Sequence, residues 1–231
     1  MPQTEIEQFE KAQHQNRLRE VGSCLRGRFG RPTWHIQMPA VDELVCTILS
    51  QNTNDVNRDK AFEALKARYP KWEAVMKAEP AELQKVIAIA GLANQKGPAM
   101  QNALRAIYEE RGEISLEWLR QKTPQEARRW LTSLKGVGPK TASIVMVFSL
   151  DMPAFPVDTH IYRVSGRIGL RPQAFNVEKT HDYFLEIGDP AEFGPLHLNL
   201  IDLGRQICHA RKPDCPHCPV KDLCQYKEKT V

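Results

Sequence analysis

Leu134-Lys135-Gly136-Val137-Gly138-Pro139-Lys140-Thr141-Ala142 is the stretch on which the reading of this chain turns. Before it, Pro124–Leu134 has the spacing of an amphipathic helix; after it, Pro139–Leu150 is apolar almost throughout. Glycines at 136 and 138 permit positive φ and close backbone approach in the joining turn. The N–H groups around Gly136, Val137 and Gly138, with that of Thr141, can then face outward at the start of the second helix. Donors of that kind, backed by a positive helix end, suit a DNA phosphate. A Gly-x-Gly turn alone is common, and an ordinary helix turn is its plainer reading.

Working outward, apolar residues recur at helical spacing and no segment alternates as a strand would. One helix is expected from Thr4 toward Arg28, ending in Gly30-Arg31-Pro32. Others are expected over 41–50, 55–69, 80–90, 97–110, 124–134, 139–150, 158–168, 177–187 and 195–207. Pro80, Pro124, Pro139 and Pro195 precede or open these patterns, where a missing N–H costs little. Gly91, Gly112 and Gly188 stand near their ends. The fold class is therefore all-α. Repeats, low-complexity segments and long linkers are lacking, so any domain boundary must fall in a short turn such as Asp151-Met152-Pro153-Ala154-Phe155-Pro156.

The 231 residues, 42% hydrophobic, suffice for one large or two small packed cores and argue against disorder. A net charge of +4 is too modest for a nucleic-acid coat protein. No uncharged apolar run is long enough to span a membrane, and Met1–Glu5 has no signal-peptide character, so a soluble, cytoplasmic protein is expected, associated with the nucleoid if the source is bacterial. Six cysteines in such a compartment argue against a disulfide framework. Cys24 and Cys46 read as core thiols. Cys208, Cys215, Cys218 and Cys224 fall within seventeen residues, and four soft ligands at that density mean zinc or an iron-sulfur cluster.

Asp158, eighteen residues after Lys140, stands in the segment Val157-Asp158-Thr159-His160. With GVGPKTA before it, the chain resembles the helix-hairpin-helix DNA glycosylases, and the endonuclease III family most closely. The resemblance runs from about Pro39 to Lys229. Ile48–Asp55 is similar to the family's turn that penetrates the duplex, and Gly91–Lys96 to the segment carrying its wedge residue. The spacing x6, x2, x5 of the four cysteines matches the family's [4Fe-4S] loop, which selects the cluster over zinc.

The resemblance implies a helix-hairpin-helix glycosylase fold, two helical lobes with a DNA-binding cleft between them. A six-helix domain would span 33–152, and an iron-sulfur domain would join 1–32 to 153–231. It implies a bifunctional DNA glycosylase and AP lyase of base excision repair, acting as a monomer on double-stranded DNA with an oxidised pyrimidine or abasic site. Lys140 would be the nucleophile at C1′ of the sugar. A lysine amine has an ordinary pKa of about 10.4, so the site must depress it, by burial and by the positive end of the helix starting at Pro139. Asp158 would favour the cationic transition state and shuttle protons, although an aspartate before Thr-His-Ile-Tyr also suits a helix N-cap.

Asn52 would fill the space left by the flipped base and Leu92 would wedge the opposite strand. The family often has glutamine where Asn52 aligns and alanine in place of Gln51, which leaves open which of the two enters the gap. Thr53, Asn54 and Asp55 line this side or cap a helix. His160 orients a phosphate or is structural. Pro139 replaces the family's usual arginine. Arg205, Arg211 and Lys212 would meet phosphates beside the cysteine loop. Two rival functions stand beside this one: a monofunctional thymine or adenine mismatch glycosylase, against which Lys140 argues, and a non-catalytic DNA-binding iron-sulfur module.

Overall fold

Helix is what the apolar spacing produces. The computed structural model describes residues 3–32 and 38–228, and among these the regular structure is eleven α-helices and three 3-10 helices, with no strand. They are α1 (Gln3–Phe29), α2 (Ala40–Ser50), α3 (Asp55–Arg68), α4 (Trp72–Lys77), α5 (Pro80–Val86), α6 (Ala93–Arg111), α7 (Pro124–Ser133), α8 (Pro139–Phe148), α9 (Thr159–Ile168), α10 (Val177–Ile187) and α11 (Phe193–Gln206).

Boundaries depart from the sequence reading where a proline or a short pattern misleads. α6 begins at Ala93, before the Gly97-Pro98 pair that looks like a helix start. Pro98 withholds an N–H from the carbonyl of Asn94, but both residues are exposed and water can serve that carbonyl. The pattern over 80–90 is split, α5 giving way to a 3-10 turn at Ala88–Ala90 that Gly91 ends at φ 70°. α4 is too short to show a helical period, and it forms because Trp72 and Val75 are buried together.

The chain divides into two compact units, His35–Met152 and a unit joining Met1–Trp34 to Pro153–Val231. The junction expected at residue 33, and Lys229, lie outside the described residues. In the unit holding α2 to α8, the apolar helices α2 and α8 pack together, with α3 and α6 also against α2. Leu44, Ile48, Leu49, Ala142 and Val145 have no exposed surface. Burying each of the large aliphatic side chains contributes about 1.5–3 kcal/mol.

In the other unit α11 packs on α9 and α1, and α1 on α10. Its centre is Phe155, stacked on Phe184 at 4.5 Å and edge-on to Phe193 at 5.5 Å. Buried His181 and His197 each bring Nδ1 to 2.9 Å from a carbonyl, those of Phe155 and Pro156. Carbonyls only accept, so both histidines donate from Nδ1 and hold the extended chain leading into Asp158.

Candidate functional site

The hairpin is built by tertiary contact on one side and left open on the other. Gly136 sits at φ 91°, and a Cβ there would come within 2.9 Å of the Ala99 Cβ on α6. Val137 buries its side chain and donates its N–H to the Leu134 carbonyl at 2.9 Å, so it anchors the turn and has no N–H left for a ligand. Gly138, the N-cap of α8, has an ordinary φ of −90° and open space where a Cβ would be. By helix geometry the N–H groups of Gly138, Lys140 and Thr141 have no intrahelical partner. Lys140 follows Pro139 in the first turn of α8 and is exposed, whereas Thr141 is buried. Lys140 thus stands at the positive end of α8, open to solvent.

Two further turns of this unit carry exposed residues in left-handed backbone. Asn52, just past α2, has φ 52°, and Leu92, the N-cap of α6, has φ 49°. Asparagine tolerates that region; for leucine it costs on the order of 1–2 kcal/mol. Gln51 is exposed, but its Nε2 donates to the Gly136 carbonyl at 3.3 Å, which ties it to the hairpin. Asn52 makes no hydrogen bond among the described residues. Asn54 spends its side chain capping α3 through the Asn57 N–H at 2.8 Å, and Asp55 pairs with Arg58 at 3.0 Å.

Asp158 is half-buried and caps α9, its Oδ1 accepting from the Ile161 N–H at 2.7 Å. His160 lies between α9 and α11, where a Cβ on Gly204 would stand 2.9 Å from the histidine's own, and its Nδ1 is 3.2 Å from Arg163 Nη2. One turn apart on α9, Arg163 and Arg167 strap the cysteine loop. Arg163 Nη2 donates to the carbonyls of Gly204 at 2.9 Å and Cys208 at 3.0 Å; Arg167 donates to those of His209 at 2.6 Å and Ala210 at 3.0 Å.

Cys208, Cys215, Cys218 and Cys224 all line one small pocket, walled by Ile168, Leu203, Ile207 and Val220. Arg167 Nη1 reaches Cys208 Sγ at 3.5 Å. Burial pushes the Cys218 thiol up to about 11, and the other three cysteines push it the same way. A cationic group among them would offset that cost. Among the described residues no three Cys, His, Asp or Glu side chains converge as the ligands of one ion do. Four thiolates lining one pocket are the soft ligand set that an iron-sulfur cluster takes. Arg205, Arg211 and Lys212 are exposed beside this loop, Lys212 at φ 49°.

Residues 45–190 match the HhH-GPD superfamily of base excision DNA repair proteins, and residues 208–224 the iron-sulfur binding domain of endonuclease III. Endonuclease III of Escherichia coli K12 is 34% identical over 213 residues, covering 91% of this chain and 95% of that one. The chain belongs to the endonuclease III family. Endonuclease III of Thermotoga maritima is 30% identical over 84% of this chain and 87% of its own. The candidate DNA glycosylase At3g47830 of Arabidopsis thaliana is 40% identical over 141 residues, and this chain spans 48% of its length. A trapped endonuclease III–DNA covalent intermediate superposes with a TM-score of 0.78 at 26% identity, over 91% of this chain and 95% of that one. A thermostable thymine-DNA glycosylase superposes at 0.79 with 22% identity, over 93% and 98%, a likeness of fold alone. This endonuclease III relative is thus an all-α helix-hairpin-helix enzyme of base excision repair, a DNA glycosylase and AP lyase whose cofactor is a [4Fe-4S] cluster.

Sequence reasoning missed several residues of this endonuclease III-like site. Arg163 and Arg167 had a readable signal, two arginines at i and i+4 on one helix face. Lys96, His181, His197 and Gly204 had none, because each has a partner far along the chain, 26 or more residues away for the histidines, 44 for Gly204 and His160, and 47 for Lys96 and Leu49, although Ala90, the second partner of Lys96, is only six away.

Proposed function

We propose that the chain excises oxidised pyrimidines from double-stranded DNA and nicks the strand through a Schiff base on Lys140. What carries this reading is Lys140 itself, exposed in the first turn of α8 beside a glycine with open space around it. A phosphate seated at Gly138 and the free N–H groups of that turn would bring the sugar within reach of the amine. The duplex closing over Lys140 would supply the burial that the chain alone lacks.

The unprotonated amine attacks C1′ and the C1′–N bond breaks, its electron pair leaving with the base, which takes up a proton. Opening of the sugar ring gives an iminium on Lys140, which acidifies the C2′ hydrogen. Loss of that proton expels the 3′ phosphate, and one water then hydrolyses the imine to free the lysine. Asp158 stabilises the positive charge developing on the sugar and relays the proton between amine and ring oxygen. Its capping bond to Ile161 uses one carboxylate oxygen, Oδ1.

Asn52 enters the gap left by the flipped base. Gln51 is held by the hairpin, and only Asn52 has both the backbone region and the free amide for that task. Leu92 wedges the opposite strand. Arg205, Arg211 and Lys212 meet phosphates, and His160 acts by packing. Cys208, Cys215, Cys218 and Cys224 hold the cluster, whose iron–thiolate bonds staple the loop when bound; base removal draws only on the side chains named above. The enzyme works as a monomer in the cytoplasm. In support, no helix among the described residues is long and apolar enough to cross a membrane.

A panel of labelled duplexes tests this. Strands with an oxidised pyrimidine or a preformed abasic site should be nicked, and G·T or G·A mismatches left intact. Base release from mismatches without nicking would contradict it.

A further inference from the structure

Lys96 is 2% exposed, a lysine placed where the core would accept methionine at no electrostatic cost. Its Nζ donates to two carbonyls, those of Leu49 and Ala90, each at 2.7 Å. Both carbonyls end an element, Leu49 in the last turn of α2 and Ala90 at the close of the 3-10 turn before α6. Such terminal carbonyls have no intrahelical donor and lie at the negative end of the helix, so a cation there is stabilised. Burial nevertheless pulls the pKa of Lys96 down.

The position of those carbonyls gives the residue a second consequence. Leu49 stands three residues before Asn52, and Ala90 two before Leu92. These are the exposed, left-handed tips of the two turns. We propose that Lys96 is a positioning residue for base eversion: one buried ammonium, bonded to the root of each turn, fixes the spacing between the gap-filling and wedge side chains. Two turns held through one atom cannot move apart independently when the duplex pushes back. The left-handed backbone at Asn52 and the strained one at Leu92 are kept because their roots are fixed. This rests on the assignment of Asn52 and Leu92 to the duplex.

The test is a double-mutant cycle on the holoenzyme, reading single-turnover excision from a duplex with an oxidised pyrimidine. A fluorescent base analogue opposite the lesion reports unstacking in parallel. Lys96→Met should slow excision on the order of tenfold or more and reduce the unstacking signal by a similar factor. In an Asn52→Ala/Leu92→Ala background the same change should cost less than about twofold, because the tips it positions are gone. If Lys96→Met does not fold, Lys96→Gln, which can reach one carbonyl but not both, takes its place in the cycle. Equal losses in both backgrounds would mean a purely structural lysine and would overturn the proposal, as would an unchanged rate in the wild-type background. Should Asn52→Ala/Leu92→Ala itself leave excision and unstacking unchanged, the duplex assignment fails first, and the proposal with it.

Discussion

Gly136 and Gly138 stand two residues apart and are glycines for different reasons. At Gly136 the chain demands it, through a φ of 91° and an Ala99 Cβ within 2.9 Å of any added Cβ. At Gly138 nothing in the protein does. Gly136→Ala should therefore destabilise the fold by about 1–3 kcal/mol. Gly138→Ala should leave the melting temperature nearly unchanged yet weaken DNA binding, by removing room for a phosphate; equal affinity in both proteins would contradict that. Thermal unfolding and a fluorescence titration with abasic DNA separate the two. Sequence reading took both glycines as one donor nest, because the Ala99 contact spans 37 positions and leaves no local mark. Lys140 was legible by its place after the hairpin; its exposure was not, since burial depends on what packs from outside the helix.

At the scale of elements, α9 does two things with one residue. Asp158 starts the helix and is assigned to catalysis, and two substitutions divide these roles. Asp158→Asn keeps a side chain that caps well, so stability should change by only a few tenths of a kcal/mol while excision falls sharply. Asp158→Ala should lose the activity and about 1 kcal/mol of stability as well. Should Asn retain full activity, the residue is only a cap. Docking of α1 has a pH signature. Burial, with Arg17 nearby, lowers the pKa of His14 below 6.5, against a smaller opposing pull from Glu10, while its Nδ1 meets the Tyr183 hydroxyl at 2.6 Å. A folded pKa below the unfolded one means stability that is present above about pH 6.5 and is lost as pH falls through the depressed value. Melting temperatures of His14→Gln should accordingly vary less between about pH 7.5 and about pH 5 than those of the wild type. Most elements were legible because a buried face imposes a 3.6-residue period. α4 and the true start of α6 were not, the first being too short for a period and the second lying behind a Gly-Pro pair that normally opens a helix.

For the whole molecule, four cysteines and one lysine carry most of what the sequence could say. The cysteine spacing, matched over 208–224, and the hairpin, inside the match over 45–190, fix the family without reference to packing. The straps from Arg163 and Arg167 to the cysteine loop, and the tether from Lys96 to two turn roots, are invisible to any local pattern because they join segments through space. The chemistry nevertheless comes down to one covalent bond. Borohydride reduction during turnover of abasic duplex DNA, followed by proteolysis and mass spectrometry of the cross-linked peptide, locates that bond. The adduct should map to Lys140, and Lys140→Gln should give none; an adduct on any other residue, or undiminished trapping by Lys140→Gln, would contradict the central claim.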